Sequence, residues 1–214
     1  MTLVRLNLPD ALPPVPPEVA AFIVAAQSRL DAFVESRLDE PLPSFVPSDF
    51  SQVYSALRHV ADGRLAGGPS FCEWGSGAGV VTFLAAMLGF DARGIEFEPD
   101  LVALSIRLAS EFQLKARFYR GNFVPHRGQR IAEQVGELAW LAVGGGDPYD
   151  EIGLEIDDFD LIFAYPWPGE ERVIERLFDR FASDGALLLT YNGVEGVRLF
   201  RKRSPGRENR SRDE

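Results

Sequence analysis

The chain of 214 residues is long enough for one domain with a modest extension, and its 46% apolar and 25% charged residues exclude an intrinsically disordered protein. One cysteine, Cys72, and two histidines, His59 and His126, exclude a disulfide scaffold and an evident zinc site. The net charge of −10 argues against a nucleic-acid partner, because an anionic body repels phosphate backbones.

Met1 to Asp10 holds no basic segment followed by an apolar one, so no secretory signal is expected. The longest apolar candidate, Val80 to Phe90, is interrupted by Thr82 and Gly89 and falls well short of the roughly 18 residues that a membrane span requires. A cytoplasmic setting without a membrane partner follows. Pro9, Pro13, Pro14, Pro16 and Pro17 make an extended lead-in. Val19, Phe22, Ile23, Ala26, Leu30, Phe33, Val34 and Leu38 then recur near a 3.6-residue period and predict a helix over Glu18 to Leu38, closed by Pro41, Pro43 and Pro47. Residues 1–47 thus read as a proline-rich lead-in with a helical extension. Residues 48–202 form the main domain, and residues 203–214 a polar, disordered tail.

Within the main domain, helices are predicted over Asp49 to Val60, Gly79 to Leu88, Asp100 to Phe112, Arg127 to Val143 and Glu170 to Phe181. Between them fall strands at Ser70 to Trp74, Asp91 to Phe97, Ala116 to Tyr119, Phe159 to Ala164 and Ala186 to Tyr191. This alternation implies an α/β fold with a doubly wound, mainly parallel sheet. Only Val194 to Lys202 follows before the tail, which leaves room for one more strand at most. The sheet is therefore expected to be truncated after the fifth strand, with an open edge that a second copy could cover as a homodimer.

The chemically informative stretch is Phe71-Cys72-Glu73-Trp74-Gly75-Ser76-Gly77-Ala78-Gly79, a strand running into a glycine turn that opens a helix. Open α/β sheets bind ligands at such turns, where backbone N–H groups at the helix start point outward. No lysine followed by Ser or Thr comes after Gly79, as a nucleotide-phosphate loop of the Walker type requires, and Val80 occupies the sixth position of a dinucleotide fingerprint. Ser76 stands directly between two glycines, so the hydrolase elbow is absent too. Glu96 ends the second strand 21 residues after Gly75, where an acid accepts hydrogen bonds from ribose hydroxyls. A glycine turn with an exposed glutamate is the alternative without a ligand; an adenosine-containing ligand accounts for both features together.

E-x-G-x-G-x-G followed by G-x-E-x-x-P, as Glu73 to Gly79 and Gly94 to Pro99, resembles the first two motifs of class I S-adenosylmethionine-dependent methyltransferases, the seven-strand Rossmann-like family. The resemblance spans about residues 45–192. It implies S-adenosylmethionine as cofactor, with Glu73, Trp74, Gly75, Ser76 and Gly77 at the methionine moiety, Glu96 at the ribose, Asn122 and Phe123 at the adenine, and Phe97 among the cofactor-binding residues. The family usually carries Asp where this chain has Asn122. Phe45-Val46-Pro47-Ser48 is similar to a Y-V-P-[ST] segment of small protein-lysine methyltransferases of this fold, with Phe45 in place of tyrosine.

The resemblance places the methyl acceptor beside Tyr165-Pro166-Trp167. No side-chain amide is present there to hold a planar amino group, which disfavours a nucleic-acid base. Tyr165 offers a hydroxyl, and Trp167 offers a ring face for a cation. Seven acids between Asp147 and Asp160, with Glu170 and Glu171 following, suit a cationic amine, a protein lysine or a small molecule, although such runs are commonly solvated loops. Cys72 reads as a small buried apolar residue, and His126 as a surface residue or a proton carrier. The expectation is an S-adenosylmethionine-dependent amine methyltransferase. A small-molecule methyltransferase and a non-catalytic adenosine-ligand-binding protein are the alternatives.

Overall fold

The computed structural model describes residues 3–37, 46–134 and 146–204. Predicted features at Leu38, Phe45, residues 135–143 of the fourth main-domain helix, and the tail beyond Ser204 lie outside the described residues. The strands are β1 (Leu3–Leu6), β2 (Ser70–Trp74), β3 (Asp91–Glu96), β4 (Ala116–Arg120), β5 (Leu161–Ala164), β6 (Leu187–Tyr191) and β7 (Val197–Lys202). They form one seven-stranded sheet in the order β1-β7-β6-β5-β2-β3-β4. β2 to β6 run parallel, and β7 is antiparallel to both of its neighbours.

The helices are α1 (Pro17–Glu35), α2 (Phe50–Asp62), α3 (Val80–Met87), α4 (Pro99–Glu111), α5 (Gln129–Gln134), α6 (Pro148–Ile152) and α7 (Glu171–Phe181). They cover both faces. Val19, Phe22, Ala26 and Leu30 of α1 join the α2, α3 and α4 residues in one core. Tyr149, Val173, Ile174, Leu177 and Phe178 build the other. This explains why β5 is apolar without interruption: Leu161, Ile162, Phe163 and Ala164 are all buried, as expected of a parallel strand covered on both sides. Phe22 carries α1 onto the domain through edge-on contacts with Phe83 at 6.1 Å and Phe112 at 5.0 Å. Among the described residues, no helix is long and apolar enough to cross a membrane.

Truncation after the fifth main-domain strand does not occur. β7 takes the room left after Tyr191, and the edge beyond it is supplied from the other end of the chain: β1 pairs with β7 from Leu3↔Lys202 to Leu6↔Leu199. The edge expected to stand open for a second subunit is thus filled by the chain itself. Leu6 packs on the α1–α4 core and Leu3 on the opposite one, so even four residues alternate between the faces.

The acidic stretch also differs from the expected loop. Asp147 caps α6, its Oδ1 accepting the Tyr149 N–H at 3.1 Å. Glu155 and Asp158 form a reciprocal capping box, and Asp160 accepts the Ser70 N–H at 3.0 Å. These acids satisfy backbone donors of their own loop and of the sheet, and none of the seven lines the cavity described below.

Candidate functional site

The glycine turn is tied to β3, since the Gly75 and Ser76 N–H groups both donate to the Ile95 carbonyl, at 3.0 and 2.9 Å. Gly79 begins α3 at φ +79°, a left-handed conformation suited to glycine. A Cβ at that position would overlap the edge of the Phe118 ring and stand 3.1 Å from Ser105 Cβ. The turn can therefore lie flat over β3 and β4 only because this position has no side chain.

Two carboxylates flank the turn. Glu73, 4% exposed, accepts at Oε2 both the N–H of Thr82, at 2.8 Å, and its hydroxyl. Burial pushes its carboxyl up to about 8, against the lowering effect of the two Thr82 bonds, and the neighbouring Glu96 adds to the rise. Glu96 accepts the Gly77 N–H at Oε2 (2.7 Å) and the Glu98 N–H at Oε1 (2.8 Å). Burial raises its carboxyl as well, opposed by those backbone bonds. The carboxylate, with about four lone-pair sites, keeps acceptor capacity for a hydroxyl donor.

A cavity of about 640 Å³ opens over the turn. Its lining includes every residue that the resemblance assigns to the cofactor or places at the acceptor: Glu73, Trp74, Gly75, Ser76, Gly77, Glu96, Phe97, Asn122, Phe123, Tyr165 and Trp167. Their parts differ. The Trp74 ring lies on the side of the sheet opposite Glu73 and stacks on Phe123, with centroids 5.4 Å apart and planes at 11°. Phe123 is fixed from behind, because its carbonyl accepts the Tyr149 hydroxyl at 2.8 Å. Asn122 Oδ1 accepts the Val124 N–H at 2.9 Å, so the oxygen considered for an adenine amino group also shapes this turn. Phe97 is 46% exposed, an apolar surface at the mouth.

At the far end, Tyr165 packs edge-on against Tyr191 at 4.9 Å. Burial and the Tyr191 hydroxyl hold its own hydroxyl above the usual phenol range, so it is a neutral hydrogen-bonding group at neutral pH. The backbone N–H of Trp167 donates to Glu170 Oε2 at 3.0 Å. Val46, Pro47 and Ser48 line the cavity, as does Leu30 from α1. Leu30 was legible as part of an apolar stripe, but periodicity does not say what a stripe faces. Cys72 is fully buried, and burial drives its thiol well above the ordinary range, which leaves it inert. His126 sits on an exposed turn away from the cavity lining, its Nδ1 3.3 Å from Gln129 Nε2.

The arrangement suits an elongated ligand with a cationic group, vicinal hydroxyls and a flat apolar end. Glu73 provides a buried carboxylate, Glu96 two acceptor oxygens, and Phe97 and Phe123 apolar surface. Opposite them, Tyr165, Trp167 and Glu170 form a second polar cluster.

No protein-family model matches the chain, and no curated protein matches it. Solved structures do. The chain is similar to an RNA methyltransferase from Salinibacter ruber in complex with S-adenosyl-L-homocysteine, at 19% identity over 79% of this chain and 100% of that one, with a TM-score of 0.50. Cofactor-bound Rv0187 from MTB aligns at 18% identity over 83% of this chain and 73% of that one (TM-score 0.49). The CcbJ methyltransferase from Streptomyces caelestis aligns at 16% identity over 74% of this chain, which spans 54% of that longer protein (TM-score 0.44). At such identities the likeness is one of fold. The seven-strand mixed sheet with helices on both faces is the class I methyltransferase fold.

Proposed function

We propose that the chain is an S-adenosylmethionine-dependent methyltransferase acting on an amine. The observation that carries the reading is the pair of carboxylates, Glu73 buried and Glu96 half-buried, on either side of a glycine turn in a single cavity. Glu73 would hold the methionine ammonium, Glu96 the ribose hydroxyls, and Phe97 and Phe123 the adenine. The neighbour from Salinibacter ruber, whose structure includes S-adenosyl-L-homocysteine, supports this choice of cofactor. When bound, the cofactor supplies an electrophilic methyl group on a sulfonium. The task left to the protein is to hold an acceptor nitrogen in line with it and to exclude water.

The acceptor end favours a cation. Tyr165 contributes a neutral hydroxyl, Trp167 a ring face and Glu170 a carboxylate, while no basic side chain among the described residues lines the cavity. A lysine side chain of a protein fits this chemistry, as does a small aliphatic amine. The anionic body and the lack of an amide beside Tyr165 speak against a nucleic-acid base. Incubation with methyl-labelled S-adenosylmethionine and cell extract is expected to place label on an amine, in the protein or the small-molecule fraction. Binding of the cofactor without any labelled product would contradict the enzyme and leave a binding protein in its place.

A further inference from the structure

Among the described residues, four carboxylates line the cavity. Glu73, Glu96 and Glu98 lie beside the glycine turn and β3, whereas Glu170 stands across from them between Trp167 and the start of α7. Glu170 is 6% exposed. Its position is held from two sides: Oε2 accepts the backbone N–H of Trp167 at 3.0 Å, and its carbonyl accepts the Val173 and Ile174 N–H groups at 2.9 and 3.1 Å. Among the described residues, Oε1 has no hydrogen-bond partner, and no Lys or Arg forms an ion pair with the carboxylate. A carboxylate removed from water without a counter-charge is costly unless something else supplies the charge. Glu170 lines the cavity, so a cation bound there would supply that charge.

Resting on the methyltransferase reading, we propose that Glu170 is the acceptor-side carboxylate: it holds the cationic acceptor nitrogen beside Tyr165 and Trp167 and accepts its proton. The acceptor arrives as an ammonium. One N–H bond breaks, its electron pair stays on nitrogen as the lone pair that methylation requires, and the proton forms an O–H bond at Oε1. The proton later passes to water, which restores the carboxylate. Burial raises the Glu170 carboxyl, against the Trp167 N–H bond, while Glu171 adds to the rise; both effects improve its match to an amine proton. Glu171 itself is committed elsewhere, its Oε2 accepting the Gly169 N–H at 2.8 Å.

The test needs no knowledge of the acceptor. Sinefungin has the skeleton of S-adenosylhomocysteine but bears a primary ammonium at the position from which the methyl group is transferred. Calorimetric Kd values for both compounds are compared in the wild type, Glu170→Gln and Glu171→Gln. Glutamine keeps an oxygen for the Trp167 N–H, so it removes the charge while preserving the loop. Glu170→Gln is expected to weaken sinefungin by about tenfold or more while S-adenosylhomocysteine stays within about twofold, and Glu171→Gln to change neither. An equal effect of Glu170→Gln on the two compounds, or no effect on either, would overturn the proposal and leave the cofactor site standing. Failure of the wild type to bind S-adenosylhomocysteine would remove the cofactor reading and this proposal with it.

Discussion

Gly79→Ala is expected to destabilise the protein by roughly 3 kcal/mol or more, a large part of the ~5–15 kcal/mol that holds a domain folded. Two costs combine. A left-handed φ of +79° costs a residue with a Cβ about 1–2 kcal/mol. The added methyl group must also displace Phe118, whose ring is packed edge-on against Phe83 at 5.2 Å, and overpacking of that kind costs about 1–3 kcal/mol. Gly75 separates the two contributions. Its φ is +72°, but a Cβ there would meet nothing within 4 Å, so Gly75→Ala should show the backbone cost alone. Chemical denaturation of both variants measures the difference. Equal midpoints would mean that the turn does not press on Phe118 as described.

Ligand binding is expected to expel a proton from Glu73. In the free protein this carboxyl holds its proton up to a pH of about 8, with burial as the first cause. An ammonium brought beside it favours the anion, so the carboxyl ionises on binding. Affinity for S-adenosylhomocysteine should therefore rise with pH towards about 8, by at most tenfold per pH unit. Calorimetry at neutral pH in two buffers of different ionisation enthalpy should report up to one proton released, and none for Glu73→Gln. Stability carries the opposite sign. Because the folded-state value is raised above the ordinary carboxyl value, the contribution of Glu73 is fully present below that ordinary value and is lost as pH climbs through about 8. Above that pH, unliganded Glu73→Gln should be more stable than the wild type, by an amount on the order of 3–5 kcal/mol. A binding enthalpy independent of buffer would contradict this assignment.

The parts of the fold that were legible in the sequence are those whose signals are local. β5 announces itself because both-face burial leaves the unbroken apolar run Leu161 to Ala164, and the turn between β2 and α3 because Gly75, Gly77 and Gly79, all at positive φ, punctuate it. β1 has no such signal. It is four residues long, and pairs with a strand almost 200 residues away, a partnership that periodicity cannot express. The acidic stretch misleads for a related reason: composition counts charges, but the roles of Asp147, Glu155, Asp158 and Asp160 as backbone acceptors depend on turns that form only in the folded chain. Trp74 could have been placed better. It follows Glu73 directly in a strand, so their side chains must leave on opposite faces, and only one of them can turn towards a ligand above the glycine turn. Glu170 was visible only as one acid among many, since its burial is created by the packing of α7 beneath the sheet.

The most direct test of the cofactor site is calorimetric titration of S-adenosylhomocysteine into the wild type and into Glu96→Ala. Glu96 is chosen because its carboxylate both anchors the Gly77 and Glu98 N–H groups and faces the cavity. The account predicts micromolar binding by the wild type and a loss of about tenfold or more in the variant, equivalent to ~1.4 kcal/mol. Absence of binding by folded wild-type protein, or binding that Glu96→Ala leaves unchanged, would contradict it.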